Sequence, residues 1–176
     1  NAGRPGKVLN LFAYTGGATL AAAAAGAQVT HVDASKGMVT WAKENAVSSG
    51  LGDAPIRWLV DDCVMFVERE IRRGNTYDAI IMDPPSYGRG PKGEIWKIED
   101  MIHPLIKLCT KILSKDALFF HVNSYTTGLA PAVLTYMIST ELKPWNGHVD
   151  SQEIGLPVTD SGLVLPCGAS GRWERD

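Results

Sequence analysis

The sequence predicts an α/β protein, with a mostly parallel sheet covered by helices on both faces. Three observations carry this reading. Short apolar or β-branched runs alternate with stretches at helical spacing from Val8 to Leu142. The first run stops at Gly16-Gly17 and passes straight into an alanine-rich stretch. The end differs, because Glu153–Leu156 and Leu163–Leu165 flank Thr159-Asp160-Ser161-Gly162 as an antiparallel hairpin would.

Val8, Leu9, Leu11 and Phe12 suit a strand covered on both faces. Gly16 and Gly17 then allow dihedrals closed to other residues, and Ala18–Ala25 is strong helix former. Gln28–Asp33 is the second strand, and Ser35 caps a helix running through Val39, Trp41, Ala42 and Ala46 to about Gly50. Ile56–Val60 is the third strand, followed by Asp61-Asp62 and a helix carrying Val64, Phe66, Val67 and Ile71. Its basic end at Arg69, Arg72 and Arg73 follows from the helix dipole alone. Tyr77–Met82 is the fourth strand. Ser86–Gly93, rich in Gly and Pro, reads as a loop, and Ile95–Leu113 as a helix with a break near Pro104. Ala117–Val122 is the fifth strand, and Leu129–Leu142 the last helix.

A chain of 176 residues suits one domain, spanning 1–176. Hydrophobic content of 45% and charged content of 20% are those of a soluble globular protein, and no apolar run approaches the roughly 20 residues that cross a bilayer. Cys63, Cys109 and Cys167 are too scattered for a disulfide framework or a CxxC zinc site, which favours a reducing, cytoplasmic setting. The four histidines are equally scattered, so no metal site is expected. The formal net charge of −2 means that any nucleic-acid contact rests on a local patch.

In parallel sheets, ligands bind beyond the carboxyl ends of the strands. Here those ends read Tyr14-Thr15-Gly16-Gly17, Asp33, Asp61-Asp62 and Asp83-Pro84-Pro85. Asp33 follows Gly16 by 17 residues, close to the roughly 20 at which an acid meets ribose hydroxyls. It could instead cap the helix at Ser35. Asp62 stands directly before a helix and is preferred to Asp61, either as a cap or as an acceptor for an exocyclic amine. Pro84 and Pro85 lack N–H groups and hold their carbonyls in one direction, so with Asp83 they form an acceptor-rich corner. The alternative is a strand stop followed by a rigid turn.

These residues, with Val32-Asp33-Ala34-Ser35-Lys36 and Trp41–Asn45, resemble the class I S-adenosylmethionine-dependent methyltransferases. More narrowly, the chain is similar to the bacterial large-subunit (23S) rRNA methyltransferases, over nearly its whole length. The resemblance implies a Rossmann-like sheet of seven strands with strand seven antiparallel. It implies that Tyr14, Thr15, Gly16 and Gly17 lie at the methionine part of the cofactor and Asp33 at its ribose, with Phe12, Ala34 and Ser35 also cofactor-binding. Asp62 and Cys63 would flank the adenine, with Asp83, Pro84 and Pro85 facing the methyl group and acceptor. It also implies an RNA-binding segment upstream, so that this domain is the catalytic part of a longer protein.

Makers of 5-methylcytosine need a nucleophilic cysteine. Its usual place, after the fifth strand, holds Asn123-Ser124-Tyr125-Thr126, and Cys63, Cys109 and Cys167 read as core residues. A nitrogen acceptor is therefore favoured over cytosine C5. The stretch Tyr87–Lys97 carries Tyr87, Arg89, Lys92, Trp96 and Lys97, a mix that meets phosphates and stacks bases. Tyr87, Arg89 and Lys92 are the candidate substrate contacts. Two rival readings stand beside this one. A nicotinamide-dependent oxidoreductase would want G-x-G-x-x-G, which Thr15-Gly16-Gly17-Ala18 does not supply; the other rival is a cofactor- or RNA-binding domain without chemistry.

Overall fold

The computed structural model describes residues 4–176. Its elements in chain order are β1 (Lys7–Leu11), α1 (Gly17–Ala24), β2 (Gln28–Asp33), α2 (Lys36–Ser48), β3 (Ile56–Val60), α3 (Cys63–Arg73) and β4 (Ala79–Met82). A small pair, β5 (Tyr87–Arg89) and β6 (Ile95–Lys97), precedes α4 (Ile98–Thr110), β7 (Phe119–Ser124), α5 (Pro131–Glu141), β8 (His148–Pro157) and β9 (Val164–Glu174). Seven strands form one sheet in the order β3-β2-β1-β4-β7-β9-β8, and β5 and β6 form a separate two-stranded ribbon.

The sheet is parallel except for β9, which pairs antiparallel with both β7 and β8. The last strand of the chain therefore inserts between its neighbours, and β8 takes the edge that the hairpin as a whole was expected to add. A parallel sheet needs helices on both faces, and the burial pattern supplies them. Leu9, Leu11, Ile80, Met82, Phe120 and Val122 point to one core with α3, α4 and α5. Val8, Val29 and Ala79 join Ala23 of α1 in a smaller cluster on the other face. The two faces alternate along each strand because side chains alternate with period two.

Several boundaries move for tertiary reasons. Tyr77 is not in β4: its hydroxyl donates to Glu70 at 2.7 Å, and its backbone bridges to Leu113. Glu70 is fully buried on α3, where Asn75 and Arg73 also donate to it. Burial raises the Glu70 carboxyl, but these donors outweigh burial and hold it below its usual range. α4 begins at Ile98, not Ile95, and runs unbroken past Pro104, which stands on its exposed side. The stretch read as a loop carries β5, which pairs with β6 around Gly93.

Beneath the first turn lies a buried polar chain. Asn10 donates to the Thr19 hydroxyl, and that hydroxyl bonds His31 Nδ1, both at 2.9 Å. Since Thr19 already accepts from Asn10, its own proton is free for Nδ1, which leaves the ring proton on Nε2. His31 is fully buried against Trp58, and burial pushes its pKa down to about 4.

This ring makes stability depend on pH. The unfolded imidazole takes a proton near pH 6.5, while the folded one resists until about 4, so stability falls as pH drops through that window. We expect a loss of about 2 kcal/mol between pH 7 and pH 5, read from urea denaturation, and a flatter dependence in His31→Gln. A second outcome concerns packing between β9 and α5. A Cβ on Gly171 would meet Ile138 Cδ1 at 2.8 Å and Leu134 Cβ at 2.9 Å. Gly171→Ala should therefore destabilise by about 1–3 kcal/mol in the same assay.

Candidate active site

The strand order reverses between β1 and β4, since the chain builds outward through β2 and β3 before returning to β4. The crevice opened by such a reversal is where ligands bind in open α/β sheets. Here it is a cleft of about 370 Å³ at the carboxyl ends of the strands. Phe12 and Tyr14 line it from β1, Asp33, Ala34 and Ser35 from β2, Asp62 and Cys63 from the start of α3, and Asp83, Pro84 and Pro85 from β4.

The turn after β1 is strained. Phe12 and Tyr14 hold φ of 54° and 48°, in the left-handed region that costs a non-glycine residue on the order of 1 kcal/mol or more. Two bonds offset that cost. The Phe12 N–H donates to Cys63 Sγ at 3.3 Å, and the Tyr14 N–H to Asp33 Oδ2 at 2.8 Å. Gly16 caps α1 at φ 90°, where a Cβ would also lie 3.1 Å from Ala42 Cβ. Thr15, Gly16 and Gly17 do not line the cleft themselves. They set the start of α1, with the Thr15 carbonyl accepting from Asn45 at 2.9 Å.

Asp33 is not the cap of α2; Ser35 is, its hydroxyl accepting from the Met38 N–H. Asp33 instead ties two loops together, its Oδ1 accepting from the Ser35 N–H at 2.8 Å while Oδ2 holds Tyr14. A carboxylate has about four acceptor positions, so capacity for a further donor remains. Asp62 caps α3 through the Met65 N–H at 2.9 Å and lines the cleft as well. Neighbouring Asp61 is held by Arg69 and does not line it.

Asp83 differs from both. Its Oδ1 is buried without a hydrogen-bond partner, and burial pushes its pKa upward. A carboxylate in that position favours a positive or hydrogen-donating group beside it. With three carboxylates around apolar walls, the cleft suits a cationic, phosphate-free nucleoside.

The β5–β6 ribbon closes one side. Trp96 is buried, packs on Phe12 with ring centroids 4.7 Å apart, and donates its indole N–H to the Pro85 carbonyl at 2.7 Å. Arg89 reaches the cleft, whereas Tyr87 and Lys92 stand on the ribbon outside its lining. Five lining residues lie outside the sequence-derived site set, Ser86, Gly88, Gly90, Trp96 and Tyr125, and the two aromatics are the largest of them. The signals for Trp96 and Tyr125 are an indole between Ile95 and Lys97 at the end of a glycine-rich stretch, and an aromatic directly after the fifth strand. Among the cysteines, Cys63 and Cys109 are buried and burial pushes both thiols up, as core residues should behave. Cys167 is not a core residue: it is part-exposed in a groove beside Tyr125, because β9 turns to the surface there. Among the described residues, no three His, Cys, Asp or Glu side chains cluster to hold a metal ion, and no helix is long and apolar enough to cross a membrane.

Comparisons with known proteins agree with this architecture. A structure of a SAM-dependent methyltransferase from Agrobacterium tumefaciens superposes with a TM-score of 0.92 at 45% identity, covering 98% of this chain and 57% of that one. SMU.776, a methyltransferase complexed with SAH, shares the fold at a TM-score of 0.76 and 24% identity, over 96% of this chain and 45% of that one. The ribosomal RNA large subunit methyltransferase K/L of Shewanella frigidimarina is 37% identical over 107 residues, 57% of this chain and 15% of the relative. Methyltransferase K of Neisseria meningitidis serogroup B is 32% identical over 120 residues, 67% of this chain and 34% of the relative. The chain thus spans about a third or less of the length of these two curated relatives. The model of the S-adenosylmethionine-dependent methyltransferase family matches residues 1–137, and the chain belongs to that family.

Proposed function

We propose that this chain transfers a methyl group from S-adenosylmethionine to a nitrogen of an RNA base, ribosomal RNA being the substrate class. The observation that carries this reading is the buried, unpartnered Oδ1 of Asp83 beside two prolines that offer no N–H. The cofactor supplies a methyl group on a cationic sulfonium, a leaving group that needs no acid. The family's cofactor fits the residues present. Phe12 and Tyr14, on the turn that Thr15–Gly17 shape, would hold its methionine part, Asp33 its ribose, and Asp62 with Cys63 its adenine edge. Asp83 and the Pro84 carbonyl accept from the donor N–H of the acceptor and aim its lone pair. Such positioning and electrostatic orientation is where the acceleration arises when the leaving group is already activated.

RNA is supported by the substrate named for the Shewanella and Neisseria relatives. It is also supported by the ribbon beside the cleft, where Arg89, Lys92 and Lys97 gather positive charge on a chain of net charge −2. Tyr87, Arg89 and Lys92 are our candidate contacts to RNA, and a ribosomal substrate implies work in the cytoplasm. One observation favours a second reading, methylation of cytosine C5: Cys167 is part-exposed in the groove beside Tyr125.

Two outcomes test these statements with labelled methyl transfer to ribosomal RNA. Asp83→Asn should lower turnover at least a hundredfold, while affinity for S-adenosylhomocysteine by calorimetry changes less than about tenfold; undiminished turnover removes Asp83 from the mechanism. Cys167→Ala should leave turnover within about threefold of the parent, since a nitrogen nucleophile needs no covalent adduct. Loss of transfer in that variant, with trapping on 5-fluorocytidine RNA in the parent, would select C5 instead.

A further inference from the structure

Beyond the cleft lies a second groove of about 460 Å³, bounded by the segment after β7 and the start of the long β9 pairing. Tyr125 lines both spaces and stands between them. Its side chain is 56% exposed, so the core gains little from it. Its backbone, by contrast, is held on three sides. Ser124 is buried and its hydroxyl accepts from the Thr126 N–H at 3.1 Å. The Thr126 hydroxyl bonds the Ser86 hydroxyl at 2.7 Å, which ties this segment to the one following Pro85. From β9, Gly168 presses so close that a Cβ there would lie 2.0 Å from the Ser124 carbonyl oxygen and 3.0 Å from Tyr125 Cα.

A large aromatic on an immobile backbone, left open beside the reactive corner, is an efficient contact surface. It has few rotatable bonds to immobilise when a partner binds. Burial, then the charge of Asp83, raise the Tyr125 phenol, in keeping with their closeness. The other aromatics near the cleft are less suited. Trp96 is buried against Phe12 and Pro85, and Tyr87 stands outside the lining.

Charge gives the direction of the bound strand. Both linings are acidic, the groove through Glu153 and the cleft through Asp33, Asp62 and Asp83, and Arg89 on the ribbon is the basic residue among them. A phosphate is therefore kept out of both linings and drawn to Arg89 on the ribbon, so the uncharged base is the part that enters between them. We propose that Tyr125 is the stacking platform for the acceptor base, which lies on its ring where the groove meets the cleft, with its reacting edge toward Asp83 and its phosphate toward Arg89. Tyr125 is then a positioning residue that sets affinity for the acceptor, and its role rests on the RNA reading above.

The test compares Tyr125→Ala, Tyr125→Phe and the distant, exposed Tyr136→Ala on an in vitro transcribed large-subunit rRNA. Tyr125→Ala should raise KM for the RNA, and the Kd from filter binding, by about tenfold or more, the usual effect of losing one stacked base. Affinity for S-adenosylhomocysteine and the thermal midpoint should stay at parent values, and Tyr125→Phe and Tyr136→Ala should bind RNA within about threefold of the parent. If the parent methylates the RNA and Tyr125→Ala keeps its KM, the platform is overturned while the RNA reading stands. If the parent binds S-adenosylhomocysteine yet methylates no RNA, the RNA reading falls and the platform with it.

Discussion

The parallel pairing of β1 with β4 is the contact on which the site depends. Leu11 stands in register with Met82, and the Asp83 N–H continues the ladder to the Leu11 carbonyl at 3.4 Å. On the other side, the Ala13 N–H reaches the Val32 carbonyl at 3.1 Å. Between these two bonds the chain after β1 must turn sharply while its neighbours diverge. The left-handed Phe12 and Tyr14 are the consequence, and so is the burial of Asp83 at the bottom of the cleft. Separating β1 from β4 by one residue of register would turn every inward side chain to the other face.

The three acidic residues at the strand ends show how one residue type takes different work from its surroundings. Asp33 and Asp62 accept from backbone N–H groups at 2.8–2.9 Å, and so serve structure and cleft together. Asp62 caps α3 and lines the cleft at once, because a carboxylate has acceptor positions beyond the one its cap uses. Asp83 has no such backbone donor on Oδ1, and burial alone acts on it. That contrast separates the two acids whose bonds hold the cleft's shape from the one whose buried oxygen has no partner.

The ribbon after Pro85 shows where local reading fails. Its glycines and prolines look like a loop because short strands there have weak intrinsic preference. They form a ribbon because Trp96 gains burial against Phe12 and a hydrogen bond from its indole to the Pro85 carbonyl. Glu94 folds over Gly90 and accepts from the Lys92 N–H at 2.9 Å, which closes the ribbon's turn. Phe12, the partner of Trp96, lies far outside any local window around the ribbon.

The sequence by itself determined the class of fold, the order of the main elements and the strand ends that line the cleft. It could do so because period-two and helical patterning and glycine turns are local consequences of backbone geometry. The resemblance drawn from Leu9–Gly17, Asp33, Asp62 and Asp83-Pro84-Pro85 also led to the family that the comparisons identify. Only the tertiary structure decided that β9 inserts between β7 and β8, that Cys167 leaves the core, and that Tyr125 rather than Tyr87 stands beside Asp83. Each of these is set by pairing between segments far apart in the chain, where burial and hydrogen-bond completion outweigh local propensity.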